Sequence, residues 1–148
     1  MDSFDARLAN ELQRLRDETG SDLAAYAAPD SPQSKWRWKR AVGESGTRLL
    51  RLTVQPGRGI AGAALRTGRT IVLDRHRNAS DLRREDAPLL LSERLSSVAA
   101  TPVIVDGSAV GLILLGSRAV RSYNDATLQL LADTSARIAT AAAAFHMP

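Results

Sequence analysis

Two apolar runs, Val98 to Val105 and Ala109 to Gly116, are separated by little more than Asp106-Gly107. Asp-Gly is a favoured two-residue hairpin turn because both positions must adopt positive φ. The stretch therefore reads as an antiparallel strand pair, and the rest of the chain has to be arranged around it. Residues 3–19 upstream read as an amphipathic helix, with Phe4, Leu8, Leu12 and Leu15 on one face and Gly20 as its stop. Asp22 to Ala28, Lys35 to Val42 and Arg48 to Val54 read as strands, divided by Pro29-Asp30-Ser31-Pro32 and Gly43-Glu44-Ser45-Gly46. A Gly-rich turn from Gln55 then feeds a short helix that Gly68 ends, and Thr70 to Leu73 is a short strand closed by Asp74.

Residues 75–94 read as a long loop holding a short helix, a length that in a compact domain is usually functional. The C-terminal helix opens on Ser122-x-x-Asp125, a capping-box pattern, and places Leu128, Leu131, Ile138, Ala142 and Phe145 on one face. The order predicts an α+β domain: a mostly antiparallel sheet with the N- and C-terminal helices covering one face. The two helical faces could equally pack across a two-fold axis.

At 148 residues the chain fits one domain, 1–148. With 44% hydrophobic residues it can bury a core. The absence of cysteine excludes a thiol nucleophile, a disulfide, a thiolate metal site and a sulfur-tethered cofactor. It also suits a reducing cytoplasm. No apolar run approaches the ~20 residues that span a bilayer, and the acidic start has no signal-peptide pattern. The net charge of +4 and pI near 10.3 invite a nucleic-acid partner. However, the arginines are spread along the chain with acids interleaved, and no nucleic-acid motif is present, so no such partner is expected. No membrane partner is expected either.

Gly57-Arg58-Gly59-Ile60-Ala61-Gly62 matches G-x-G-x-x-G, with Asp74 ending the following strand. A dinucleotide fingerprint would place its acid ~20 residues on, after a full-length helix, and would continue into a second βαβ unit. Neither condition is met. Two readings of the turn stay open. It can be a tight turn with close helix–sheet packing, or a helix start whose N–H groups favour an anion. Trp36 and Trp38 share a strand face and are either core or the wall of a pocket that offers an indole N–H. Pro88-Leu89-Leu90-Leu91 is likewise core cover or a lid.

His76 and His146 have no third ligand at metal spacing, so no metal or other cofactor is expected. Asp74, Glu85, Asp86 and Glu93 form no base–nucleophile pairing, and the serines have no elbow motif, so the chain is not expected to be an enzyme.

Taken in order, the Gly57–Gly62 turn, Thr67-Gly68-Arg69, Ala100-Thr101-Pro102-Val103, Gly111-Leu112-Ile113 and Tyr123-Asn124-Asp125 resemble the pattern of GAF domains over nearly the whole chain. The resemblance implies an antiparallel sheet of five or six strands, terminal helices on one face and a ligand pocket on the other. Trp36-x-Trp38, Arg48-x-x-Arg51-Leu52 and Ser92-Glu93-x-Leu95 are similar to the stand-alone nitrate-receptor members, which act beside a sensor histidine kinase and its response regulator. Carried over, that likeness implies nitrate or a similar small anion as ligand. Ile60 and Ala61 would give backbone donors, Trp38 an indole donor and Leu90 a further backbone donor. It also implies a homodimer through the terminal helices. Methionine sulfoxide reduction and bilin attachment, two other GAF activities, both need cysteine. A GAF module with an empty pocket, serving only in assembly or regulation, is the competing reading.

Overall fold

A computed structural model describes residues 3–31, 35–43, 49–54, 59–74, 94–119 and 123–146. The elements are α1 (Ser3–Thr19), β1 (Leu23–Pro29), β2 (Trp36–Gly43), β3 (Thr53–Val54), α2 (Gly59–Thr67), β4 (Ile71–Asp74), β5 (Ser97–Val105), β6 (Ser108–Ser117) and α3 (Asp125–His146). They build a six-stranded sheet in the order β3-β2-β1-β6-β5-β4, antiparallel at every pairing. The β5–β6 hairpin turns on Asp106 (φ +51°) and Gly107 (φ +80°), as the Asp-Gly pair predicts.

Alternation along the central strands divides the interior in two. Ala24 and Tyr26 of β1, Ala99 and Val103 of β5, and Ile113 and Leu115 of β6 face α1 and α3. Leu23, Ala25, Ala27, Val98, Ala100, Leu112 and Leu114 face the other way, toward α2. Leu8, Leu12 and Leu15 of α1 and Leu131, Ile138 and Ala142 of α3 are buried, so the apolar faces of the two helices are spent on the sheet. Each large aliphatic side chain buried there is worth ~1.5–3 kcal/mol. The choice between sheet cover and a two-fold contact is thus decided for these faces. Any contact between copies would use the outward sides of the helices.

One local reading needs correction. The segment read as a strand from Arg48 to Val54 is instead a 3-10 turn, Leu49–Arg51, followed by only two strand residues. The Leu52 N–H closes that turn on the Leu49 carbonyl, which lets Leu49 and Val54 be buried together on one side. The C-terminal helix is capped by Asn124, whose Oδ1 accepts the Thr127 N–H at 2.9 Å. Asn124 therefore supplies a capping oxygen, standing three residues before the first-turn donor it satisfies. Ser122 lies outside the described residues.

The α1–α3 layer is tied by polar contacts as well as apolar ones. Arg137 Nε donates to both oxygens of Glu11, at 2.9 and 3.1 Å. Ser135 Oγ donates to the Pro102 carbonyl at 2.9 Å, pinning α3 to β5.

Beneath this layer Tyr26 is 4% exposed and meets Phe4 edge to face. Burial pushes its phenol up from 10.0 to about 12. A pKa raised in the folded state means that the neutral phenol's contribution is complete below pH ~10 and is lost as pH rises toward 12. Stability should then fall by up to ~1.4 kcal/mol per pH unit in that window. An alkaline titration followed at the tyrosinate absorbance should show one component near pH 12 that Tyr26→Phe removes. A single transition near the ordinary tyrosine value in the native protein would contradict it.

Among the described residues no helix is long and apolar enough to cross a membrane. Nor, among them, do three or more metal-ligating side chains gather.

Candidate functional site

The sheet face away from the terminal helices is covered by α2, and three of the four sequence candidates lie in the apolar cluster on that face. Ile60 (4% exposed) and Ala61 (8%) lie in the first turn of α2, and Trp38 (4%) comes from β2. All three belong to one apolar cluster with Leu49, Val54, Ala64, Leu73 and Leu95. Leu90, the fourth candidate, and His76 fall outside the described residues. Trp36 is half-buried against the same cluster, two residues along the strand from Trp38.

Local sequence explains why α2 can approach so closely. Gly59 starts the helix at φ +67°, a left-handed conformation that side chains with a Cβ resist. Ala61, Gly62 and Ala64 are buried and small, so the helix settles low on the sheet. Backbone N–H groups in a first helical turn point along the axis away from the helix, and aligned peptide dipoles make that end partly positive.

Among the described residues, the buried side chains around Ile60, Ala61 and Trp38 form an apolar cluster. The Trp38 indole N–H has no acceptor among the described residues. A buried donor left without an acceptor costs ~1–3 kcal/mol, which makes the Trp38 indole a candidate donor to a ligand. Neutral donors set in apolar walls suit a small anion of low hydration energy. They suit a dianion poorly, because it would need cationic partners.

One feature of β2 was not anticipated. Ala27 pairs with Trp38 and Tyr26 pairs with Arg40, so Lys39 has no partner and forms a β-bulge. Trp36, Trp38 and Ala41 thereby share the α2 face, while Val42 packs with the terminal helices. The sequence signal was present in Trp-Arg-Trp-Lys-Arg-Ala-Val, where two adjacent charged residues break an otherwise regular alternation.

The geometry agrees with what the chain resembles. A family model described as GAF domain matches residues 3–142. A solved structure titled as a mutated NreA protein in nitrate binding site, from Staphylococcus aureus, is 30% identical with a TM-score of 0.70. That match covers 82% of this chain and 92% of the other. A protein from S. aureus described as hypothetical protein SA1058 is 32% identical with a TM-score of 0.67, covering 78% of this chain and 95% of the other. The GAF domain region of a putative membrane protein from Geobacter sulfurreducens is 21% identical with a TM-score of 0.78, covering 95% and 93%, and speaks to the fold alone. A search of curated proteins found no match.

Proposed function

The chain belongs to the GAF domain family, and on that premise we propose that it is a receptor for a small, weakly hydrated anion, with nitrate the first choice. The anion would sit between the first turn of α2 and Trp38. The backbone N–H of Ala61 and the indole N–H of Trp38 are the donors in this reading, with Ile60 added on the family resemblance alone. Leu90 enters as a further donor on the family resemblance alone. A partner sensor histidine kinase would read the bound state, with this chain acting as a regulatory component in the cytoplasm.

The observation that carries the reading is the buried Trp38 indole donor, set without an acceptor among the described residues in the same apolar cluster as the start of α2. The choice of nitrate is supported by the S. aureus NreA structure, whose nitrate binding site is named and which is 30% identical to this chain. Physical chemistry points the same way. Nitrate gives up its hydration shell at low cost, so a few aligned neutral donors can compete with water for it, whereas sulfate or phosphate would call for arginine or lysine.

The test is calorimetric titration of the wild type and Trp38→Phe with nitrate, nitrite, chloride and sulfate. The wild type should bind nitrate and reject sulfate. Trp38→Phe keeps most of the apolar wall and removes one hydrogen bond to a charged group, ~1.5–3 kcal/mol, so nitrate affinity should fall tenfold or more. Negligible heat with all four anions on a folded wild type would end this reading. It would leave a GAF module that acts only in assembly or regulation.

A further inference from the structure

Behind Trp38, on the reverse face of β2, its two chain neighbours converge on one carboxylate. Lys39 Nζ contacts Asp30 Oδ1, and Arg37 Nη1 lies 3.9 Å from Asp30 Oδ2. Asp30 itself follows β1 directly, and Pro29 at the end of that strand pairs with Trp36. The carboxylate therefore grips the residues on both sides of Trp38, and Lys39 is the bulge residue that has no strand partner of its own.

A bulge weakens the ladder locally and adds twist, which leaves the direction of the neighbouring side chain less constrained than in regular pairing. Two ionic contacts spanning the bulge supply a restraint that the missing ladder bonds do not. We propose that Asp30 is a positioning residue for Trp38. Through Arg37 and Lys39 it fixes the backbone of the bulge, and so the orientation of the Trp38 indole. This inference rests on the anion-receptor reading only for its functional readout.

The sign of the effect separates positioning from simple charge. Asp30 is negative, so replacing it with a neutral residue would tighten anion binding if long-range electrostatics alone acted. A positioning role predicts the reverse. The pairs are exposed, with side chains 36–56% accessible, which limits the effect to a few-fold.

The experiment is a double-mutant cycle on the full chain, with nitrate as the titrant and Asp30→Asn and Trp38→Phe as its arms. Asp30→Asn should weaken nitrate about threefold to fivefold in the wild-type background and add no loss in the Trp38→Phe background. In protein without anion, the indole N–H resonance of Trp38, assigned by its absence from Trp38→Phe, should move in Asp30→Asn while the melting temperature changes little.

Unchanged or tighter nitrate binding in Asp30→Asn would overturn the proposal, as would an equal loss in both backgrounds. If the wild type binds no nitrate, the receptor reading fails by itself and the indole resonance alone decides. Movement of that resonance then supports the clamp, and an unmoved resonance overturns it.

Discussion

Ala61→Pro is expected to abolish nitrate binding while leaving the protein folded. Proline removes the Ala61 N–H, so one donor to the anion is lost outright, ~1.5–3 kcal/mol. The pyrrolidine ring also occupies the space where that donor pointed, so the anion is displaced as well as deprived of a hydrogen bond. The two effects together should take affinity below the reach of calorimetry. The fold survives because Ala61 is in the first turn of α2, where its N–H has no acceptor within the helix, so proline breaks no helix hydrogen bond and costs only the packing of its ring at a buried position. Circular dichroism should therefore keep its wild-type form, while the melting temperature drops by about 5–10 °C. Ala61→Ser keeps the N–H and is the matched control, expected to retain binding. Wild-type nitrate affinity in Ala61→Pro would move the anion away from this helix start.

The large elements could be read from the residues because their signals are local. Asp106-Gly107 between two apolar runs admits little besides a hairpin. The spacing of Leu8, Leu12 and Leu15 admits little besides a helix on a sheet, and those side chains are buried there. The Leu49–Val54 segment failed because its apolar residues alternate only in part. Consecutive Leu49 and Leu50 fit a tight turn as well as a strand, and burial of Leu49 selected the turn. The Asn124 cap carried no separate signal, because Ser122 and Asn124 are both good capping residues and only the contact at Thr127 shows Asn124 in that role.

The site was legible as a list and not as an arrangement. Trp38 could be placed on a strand face and Ile60 and Ala61 at a helix start, but that they belong to one apolar cluster on the same side of the sheet is a tertiary fact. That Trp36 and Trp38 share a face followed from strict alternation. Continued past Lys39, the same rule would have put Val42 beside them and Ala41 on the reverse, the opposite of what the bulge produces. Asp30 carried no signal at all before folding, since an aspartate between two prolines in a turn is ordinary. Its importance appears only when Arg37 and Lys39 are brought back beside it by the β1–β2 pairing.

Gly43→Ala is expected to be the most destabilising single-methyl change among those considered, because a Cβ there meets backbone rather than a side chain. Gly43 ends β2 opposite Leu23, at φ +138°. An added Cβ would collide with the Asp22 carbonyl oxygen and stand 3.2 Å from the Leu23 Cα. Asp22 has little freedom to yield. Its carbonyl accepts from Arg16 Nε at 3.0 Å, its N–H donates to the Gly116 carbonyl at 2.9 Å, and its Oδ2 accepts the Arg118 N–H at 2.7 Å. Backbone strain of ~1–3 kcal/mol then adds to an overpacking cost of similar size. At ~2–4 °C per kcal/mol for a chain of this length, the melting temperature should fall by about 10 °C or more. Gly107→Ala separates the two terms. Gly107 is also left-handed, at φ +80°, but nothing lies within 4 Å of its Cβ position, so it should show the backbone term alone and lose less than half as much. Equal losses at the two positions would mean that conformation, not the clash with Asp22, governs this corner. A loss at Gly43 of only ~3 °C, the scale of a single kcal/mol, would mean that the β2 end can part from β1 at little cost. The register that carries Trp38 to the site would then have to be held from the bulge and the β1–β2 turn instead.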